Sequence, residues 1–596
     1  MKIRIADYIA KRLREWGVET IFMVSGGGMM HLVDAVGRAE GLRAICNHHE
    51  QCSAMAADAQ ARFSGHIGVC YATSGPGATN ILTGLVGAWQ DSSPILFVTG
   101  QSKSTQTIQG SGIIGLRQFG TFEVDIVPIV KTVTKYAVMV MDPMTIRYHL
   151  EKAYFSSTTG RPGPTLLDIP LDVQGAIIES DNLKGYIPEG KAIPPDSNDL
   201  IQVAEVLRNA KRPLILAGIG LRAAGAVDIF RRVVGRMNIP VVTTQLGKDA
   251  LFYDHDLFVG HSGPKGDRAG NFAVQTADVI LSIGCSLHSQ STGWENNLFA
   301  PDALKIQVDI DEAVLAREKL NVAVKIKSDV NDFLLCLEPL IDKGFASDAW
   351  RNHCLSWKGR YAVRNEKHDR TGDFVNYYDF AEELSCALRG DECVVTDAGS
   401  AFYAMGQGFR VKQNQRFISS GSLGAMGFAL PAANGAATAS EREVICVTGD
   451  GSLMTNIHEL AVTSFHKLNV KLFIMNNDGY LSIRNTQREF FNGLYVGTDY
   501  ASGVFIPKLS DQAMTYGIPF LRCERVSELR SVVKQALAVD GPVFVEINAR
   551  RDQRMIPSVI SERLQDGRMQ SKPLHEMYPY LPQSEVNAEM LGAKKE

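Results

Sequence analysis

A chain of 596 residues, at roughly 150 per domain, has room for three or four domains, and 45% hydrophobic with 21% charged residues is ordinary globular composition, which excludes long disorder and fibrous repeats. Lys+Arg 61 against Asp+Glu 65 gives a net charge of -4, too balanced for the basic footprint of a nucleic-acid binder. The ten cysteines are scattered without a C-x-x-C pair, and neither a signal-peptide core nor eighteen apolar residues in a row interrupts the sequence, so reduced core thiols, a cytoplasmic location and no membrane span are expected.

From 1 to 180, short β-branched runs alternate with amphipathic stretches. An opening helix to about Trp16 precedes strands expected at Thr20–Val24, Arg43–Cys46, Ile67–Tyr71, Pro94–Thr99 and Pro164–Ile169. The stretch YIPEGKAIPPDSN reads as a linker. A second block, 196–345, has strands at Pro213–Leu216, Pro240–Thr243, Val279–Ile283 and Lys305–Val308. The charged, Trp-containing segment 349–370 reads as an exposed helix and connector. A third block, 375–560, has strands at Cys393–Thr396, Val444–Val447, Lys471–Met475 and Pro542–Ile547, and residues 561–596 show no alternation. The expected fold is α/β, with three doubly wound parallel-sheet domains and an irregular C-terminal tail.

The most informative stretch is Thr448-Gly449-Asp450-Gly451-Ser452, followed by apolar positions Ile457, Leu460, Ala461, Phe465 and Leu468 at helical spacing, then Lys471 to Met475 and Asn476-Asn477-Asp478-Gly479-Tyr480. A right-handed crossover brings parallel strands out on one edge, so Asp450 and Asn477, 27 residues apart, are expected at the carboxyl ends of neighbouring strands. A carboxylate, a side-chain amide oxygen and a backbone carbonyl are hard ligands suited to Mg2+, with positions left for diphosphate oxygens. The glycines allow close backbone approach, and the helix opening after Gly451 offers N–H groups to phosphate. Taken singly, G-D-G and N-N-D-G are ordinary turns; the pair in this strand context carries the signal. Glu50, between strand Arg43–Cys46 and a helix through Ala59, is by itself a favourable helix-dipole partner, and in a partly dry site it is also a general acid/base.

These motifs resemble the thiamine-diphosphate enzymes, whose diphosphate motif begins with GDG and ends with NN. TSGPGATN at 73–80, GRPGPTLLDIPLDVQ at 160–174, GSLGAMGFALPAA at 421–433 and GDGSLMTNIHEL at 449–460 place the resemblance in the acetolactate synthase-like branch, over about 1–560. It implies a pyrimidine-binding domain at 1–180, a central domain at 196–345 and a diphosphate-binding domain at 375–560. It also implies thiamine diphosphate with Mg2+ held by Asp450, Asn477 and the Gly479 carbonyl. Glu50 matches the glutamate that hydrogen-bonds the aminopyrimidine and drives loss of the thiazolium C2 proton. Cofactor contacts are implied for Ser74, Gly75, Pro76, Asn80, Gly399, Ser400, Gly424, Gly449, Gly451, Ser452 and Tyr480, with Met426 propping the bent coenzyme. A homodimer or homotetramer with sites at the subunit interface follows from the same resemblance.

The implied reaction is decarboxylation of a 2-keto acid, pyruvate foremost, with transfer of the acyl carbanion to a carbonyl acceptor. Simple decarboxylation or C–C hydrolysis is the alternative on the same cofactor, and an inactive cofactor-binding regulatory protein the alternative of another class. The substrate pocket is expected at Gly26, Gly27, His31, Phe122, Ser482 and Thr486. Phe122 stands where acetolactate synthases carry Gln, Leu171 where they carry Lys, and Ser482 and Thr486 where they carry Met and Trp. Replacing a large aromatic wall by a hydroxyl fits a bulkier acceptor, such as a keto-sugar. Gly218-Ile219-Gly220, Thr244, Gly247, His261-Ser262-Gly263, Asp309 and Asp311 resemble flavin-site landmarks. Ser286 and Gln290 replace arginines there, so FAD is the less expected outcome.

Overall fold

The computed structural model describes residues 2–188, 194–342 and 344–595, so part of the expected linker, 189–193, lies outside the described residues. Three six-stranded sheets, all parallel, form the frame. In spatial order the first runs Arg43–Cys46, Thr20–Met23, Gly68–Ala72, Ile95–Gln101, Thr165–Pro170, Tyr136–Met139. The second runs Phe258–His261, Val241–Thr243, Pro213–Ala217, Val279–Ile283, Leu304–Asp309, Val322–Lys327. The third runs Arg416–Ser419, Cys393–Thr396, Val444–Gly449, Val470–Asn476, Val543–Asn548, Phe520–Cys523.

Each sheet has a reversal of strand order near its middle, between Thr20–Met23 and Gly68–Ala72, between Pro213–Ala217 and Val279–Ile283, and between Cys393–Thr396 and Val444–Gly449. At such a reversal the connecting segments diverge to opposite faces and leave a crevice at the carboxyl ends of the strands. Each of the three regions singled out by sequence opens from one of these points.

The first and third sheets share one continuous apolar core. Its centre is helix Glu50–Ser64, whose Ala54, Ala56, Ala57 and Ala59 are fully buried, packed on helix Ala429–Thr438. Small residues set this approach: a Cβ at Gly435 would lie 2.1 Å from the Ala56 carbonyl oxygen. A side chain there would force the two helices apart and open the core between them.

Three expectations are corrected. Segment 349–370 is not an exposed helix: within Asp348–Arg360, Trp350, Cys354 and Trp357 are buried, and the indole N–H groups of the two tryptophans donate to the Pro213 carbonyl and to Glu589. The tail is not irregular. It forms an antiparallel pair, Ser561–Arg563 with Met569–Ser571, then helix Gln583–Lys595, and buries Leu574, Met577 and Val586 in the central core. Its apolar spacing was masked by a polar surround that pairs with the Trp helix, as in Arg360 with Glu589 at 2.5 Å. All ten cysteines are free; Cys46 and Cys386 are exposed and Cys336 is half-buried, so only the other seven are core residues.

Candidate active site

Strands Val444–Gly449 and Val470–Asn476 are neighbours in parallel register, which brings Asp450 and the Asn477 turn together. Asp450 is fully buried, and its Oδ2 accepts the Gly479 N–H at 2.8 Å. Burial pushes its carboxyl up to about 6, against the pull of backbone N–H groups from Gly479, Gly451 and Asn477. Its other oxygen, Oδ1, is buried with no hydrogen-bond partner. A buried carboxylate oxygen without a partner is costly unless a cation completes it. Asn477 donates from Nδ2 to the Tyr377 hydroxyl at 2.7 Å, while Arg484 donates to its Oδ1 at 2.8 Å and its carbonyl at 2.6 Å. A carbonyl-type oxygen has a second lone pair, so Arg484 rigidifies this turn and leaves it able to ligate.

The surrounding glycines have steric reasons. Gly479 has φ +125°, and a Cβ would lie 2.0 Å from the Thr498 carbonyl oxygen; a Cβ at Gly451 would strike the Tyr480 ring at 2.5 Å. Ser452 Oγ accepts the Gly427 N–H at 2.9 Å, which ties the segment of Gly424 and Met426 to the GDG helix. Met426 is 46% exposed, so it is no core filler and stands free to support a ligand. Gly399, with φ +67°, opens the helix that carries Ser400, and the Ser400 and Ser482 hydroxyls meet at 2.9 Å. Asp397, at the strand reversal, was not singled out from sequence. Its carboxylate accepts from Thr448 Oγ1 at 2.7 Å and from the Ala398 and Phe428 N–H groups, fixing three segments of the site at once. Its position directly after an apolar strand and before Ala-Gly-Ser was the available signal.

One intervening helix was expected after Gly451. The structure breaks it into Asp450–Thr455, a short turn Ile457–Glu459, and Leu460–Phe465. Asn456 at the break donates to the Gly427 carbonyl at 2.8 Å.

In the first sheet, Glu50 opens helix Glu50–Ser64 and is 8% exposed. Asn80 Nδ2 donates to its Oε2 at 2.9 Å. The loop from Thr73 to Asn80 packs tightly round it: a Cβ at Gly77 would lie 3.2 Å from Glu50 Oε1, and Gly75, with φ +65°, passes under the Phe122 carbonyl, 2.5 Å from where a Cβ would be. Pro76 occupies the first turn of the following short helix, where its missing N–H is no loss, and Ser74 is buried. Gly26 abuts the Thr73 side chain, and the Gly28 N–H donates to Thr73 Oγ1 at 3.0 Å. The segment of Gly26 and Gly27 is therefore brought to the Ser74 loop. His31 reaches Gly175: its Nε2 lies 2.9 Å from the place a Cβ there would take. Phe122 is 70% exposed with φ +58°, in a loop held by Glu123, which accepts N–H groups of Ile108, Phe119 and Gly120. Ser482 and Thr486 stand one turn apart on helix Leu481–Phe490, with Thr486 exposed.

A cleft of about 820 Å³ lies in the central sheet's neighbourhood, lined among others by Arg161, Ser286, His288, Gln290, Asp311 and Arg317, and adjoins a crevice at Gly218, Gly220, Thr244, Gly284 and Asp309. Its glycines are explained by backbone: a Cβ at Gly218 would lie 2.1 Å from the Gly284 carbonyl oxygen. His261 does not face this cleft's lining; it is buried between Thr243 Oγ1 at 2.7 Å and Lys248 Nζ at 2.9 Å. Gln290 Nε2 donates to the Gly421 carbonyl at 3.0 Å, and Arg161 is held by Asp311 at 2.9 Å.

Three parallel sheets with crevices at their reversals, a buried carboxylate oxygen without a hydrogen-bond partner at one and a carboxylate opening a helix at another, are the architecture of a coenzyme-dependent enzyme. The chain belongs to the thiamine pyrophosphate enzyme family: the N-terminal TPP binding domain matches 3–114, the central domain 200–337 and the C-terminal TPP binding domain 397–547. It is 33% identical to the probable acetolactate synthase 2, chloroplastic, of Oryza sativa subsp. japonica, over 93% of this chain and 84% of that protein. It is 32% identical to the acetolactate synthase isozyme 2 large subunit of Escherichia coli (strain K12), over 93% of this chain and 97% of that protein. Against the probable acetolactate synthase large subunit of Methanocaldococcus jannaschii the identity is 32%, over 91% of each. Among the described residues no helix is long and apolar enough to cross a membrane.

Proposed function

We propose that this enzyme decarboxylates a 2-keto acid, pyruvate in the first instance, and joins the two-carbon unit to a carbonyl acceptor larger than pyruvate, of keto-sugar size. Thiamine diphosphate supplies an electron sink for the carbanion when bound. Mg2+ fits the Asp450 set, where Oδ1 of Asp450, Oδ1 of Asn477 and the Gly479 carbonyl would hold it. Glu50 is the residue placed to pass a proton to and from the ring, since its carboxylate is buried and oriented by Asn80.

The observation that carries the acceptor assignment is the pair Ser482 and Thr486. They present small hydroxyls on the helix that begins at the metal turn, where the resemblance places Met and Trp. Thr486 Oγ1 is satisfied by the Ser482 carbonyl at 3.2 Å and fills little space. Labelled pyruvate offered with small keto acids and with sugar-like carbonyls should give a ligated sugar as the main product by mass analysis. Acetolactate as the sole efficient product would refute the assignment, and free aldehyde alone would assign the enzyme as a decarboxylase. Thr486→Trp should reduce kcat/KM for the large acceptor by at least about 10-fold while sparing a small one.

The pattern of exposed apolar side chains supports at least a dimer. Ile114 is 100% exposed, and Ile113, Phe119 and Phe122 accompany it beside the Gly75 loop, while Phe490, Phe491, Leu494, Val496 and Phe505 stand exposed beyond helix Leu481–Phe490. Apolar surface of that extent marks an interface.

FAD fits the central cleft in size but poorly in charge. Four cations line it, but Arg161 pairs with Asp311, Lys327 with Glu312, and Arg317 and Lys135 donate to backbone carbonyls, so a diphosphate would have to displace existing partners. Purified protein is expected to release well under one flavin per chain on denaturation, read by fluorescence; stoichiometric flavin would reverse this reading.

A further inference from the structure

Outside the coenzyme site, one cluster of ligand-type side chains joins the two halves of the shared core. Cys52 lies on the first turn of helix Glu50–Ser64, and His458 and Glu459 lie in the turn Ile457–Glu459. Cys52 Sγ is 3.5 Å from His458 Nε2, which is 3.8 Å from Glu459 Oε1, and the three donor atoms lie within 4.8 Å of one another. A tetrahedral zinc-type ion with bonds of about 2.0–2.3 Å sets its ligand atoms about 3.3–3.8 Å apart. The two separations made by His458 fall on those edges, and the third lies within 4.8 Å.

The donors are held in place. Glu459 Oε2 accepts Asn47 Nδ2 at 2.7 Å, and its Oε1 accepts the His48 N–H at 2.9 Å, which leaves each oxygen a lone pair. Cys52 and Glu459 are fully buried, while His458 is about a third exposed, so an ion and its water would enter from the imidazole side.

We propose that Cys52, His458 and Glu459 bind a thiophilic divalent cation of the zinc type, which pins the start of the Glu50 helix to the turn that follows Asp450. On binding, the thiol proton leaves to solvent, and thiolate and carboxylate balance a 2+ charge in a dry site. Softness separates this site from the coenzyme's metal: Asp450, Asn477 and Gly479 offer only oxygen, which suits Mg2+, whereas a thiolate and an imidazole select zinc-like ions. The site also ties two segments that the Asp450 metal does not touch.

Cobalt(II) is the probe, because thiolate ligation gives a charge-transfer band in the near ultraviolet that oxygen ligands do not. Chelator-stripped full-length protein, saturated with Mg2+ and titrated with Co2+, should develop that band at about one cobalt per chain. Zn2+ should abolish it by competition and should raise the thermal midpoint. Cys52→Ala, a small-for-small change on an alanine-rich helix, should lose the band, and His458→Gln, at a half-exposed position, should weaken binding at least about 10-fold. Asp450→Ala should keep the band. Absence of the band in the native chain, or its survival in Cys52→Ala, would overturn the proposal and leave a simple Cys–His contact.

Discussion

Asp450→Ala is expected to lower Mg2+-dependent affinity for thiamine diphosphate by at least about 100-fold, since even outer partners of metal ligands typically cost 10–100-fold when removed. The geometry explains the size. Asp450 contributes the buried Oδ1 that lacks any partner, while its Oδ2 is already committed to the Gly479 N–H, so no other oxygen of this residue can take over. The apoprotein should lose little stability, because the substitution also removes a buried carboxylate, one oxygen of which has no partner. Equilibrium dialysis of the coenzyme with and without Mg2+ reads the effect; unchanged affinity would remove Asp450 from the ligand set. A pH dependence follows from the same burial. The metal-free carboxyl titrates near about 6, raised above its unfolded value of 3.8, so protonation stabilises the apo fold as pH falls and competes with the cation. Mg2+ affinity of the native chain should therefore weaken below about pH 6, and this component of the pH profile should vanish in Asp450→Ala.

How far the sequence disclosed the molecule depends on where each element lies. Interior strands such as Val279–Ile283 and Cys393–Thr396 are buried on both faces and read as short runs rich in β-branched residues. In the three large sheets, the strands not foreseen, Tyr136–Met139, Phe258–His261, Val322–Lys327, Arg416–Ser419 and Phe520–Cys523, are all sheet edges. Val322–Lys327 shows why: its side chains alternate between burial or partial burial and exposure, and Lys325 and Lys327 on the exposed side read as loop beside the mostly apolar interior strands. At the candidate site, the convergence of Asp450 with the Asn477 turn was legible from the strand pattern. Residues whose role depends on distant partners were not. Arg484 looks like surface charge on the amphipathic helix Leu481–Phe490, yet it is 8% exposed and grips the Asn477 turn. Asp397 gathers segments more than thirty residues apart, a convergence no local pattern encodes.

Glu50→Gln should bind coenzyme normally yet slow exchange of the thiazolium C2 proton by about 100- to 10,000-fold, the range for loss of a positioned acid/base group. The glutamine keeps an oxygen for the Asn80 Nδ2 donor and the same volume beside Gly77, so helix Glu50–Ser64 should hold its position, and only the ionisable proton is lost. Full activity in this variant would strip Glu50 of the role. Pairing this substitution with the first one also tests where the two halves meet. Within one chain, the hydrogen bonds between the helix start and the diphosphate half run through Asn47 and His48 to Glu459 and through Gln51 to Asn456, flanking Glu50 on both sides. If each site takes Glu50 from one subunit and Asp450 from the other, coexpressed Glu50→Gln and Asp450→Ala chains form mixed dimers with one site wholly native and one doubly altered. Random pairing then restores about a quarter of native activity from two inactive parents. If both residues of a site belong to one chain, every site carries one lesion and activity stays at the level of the parents.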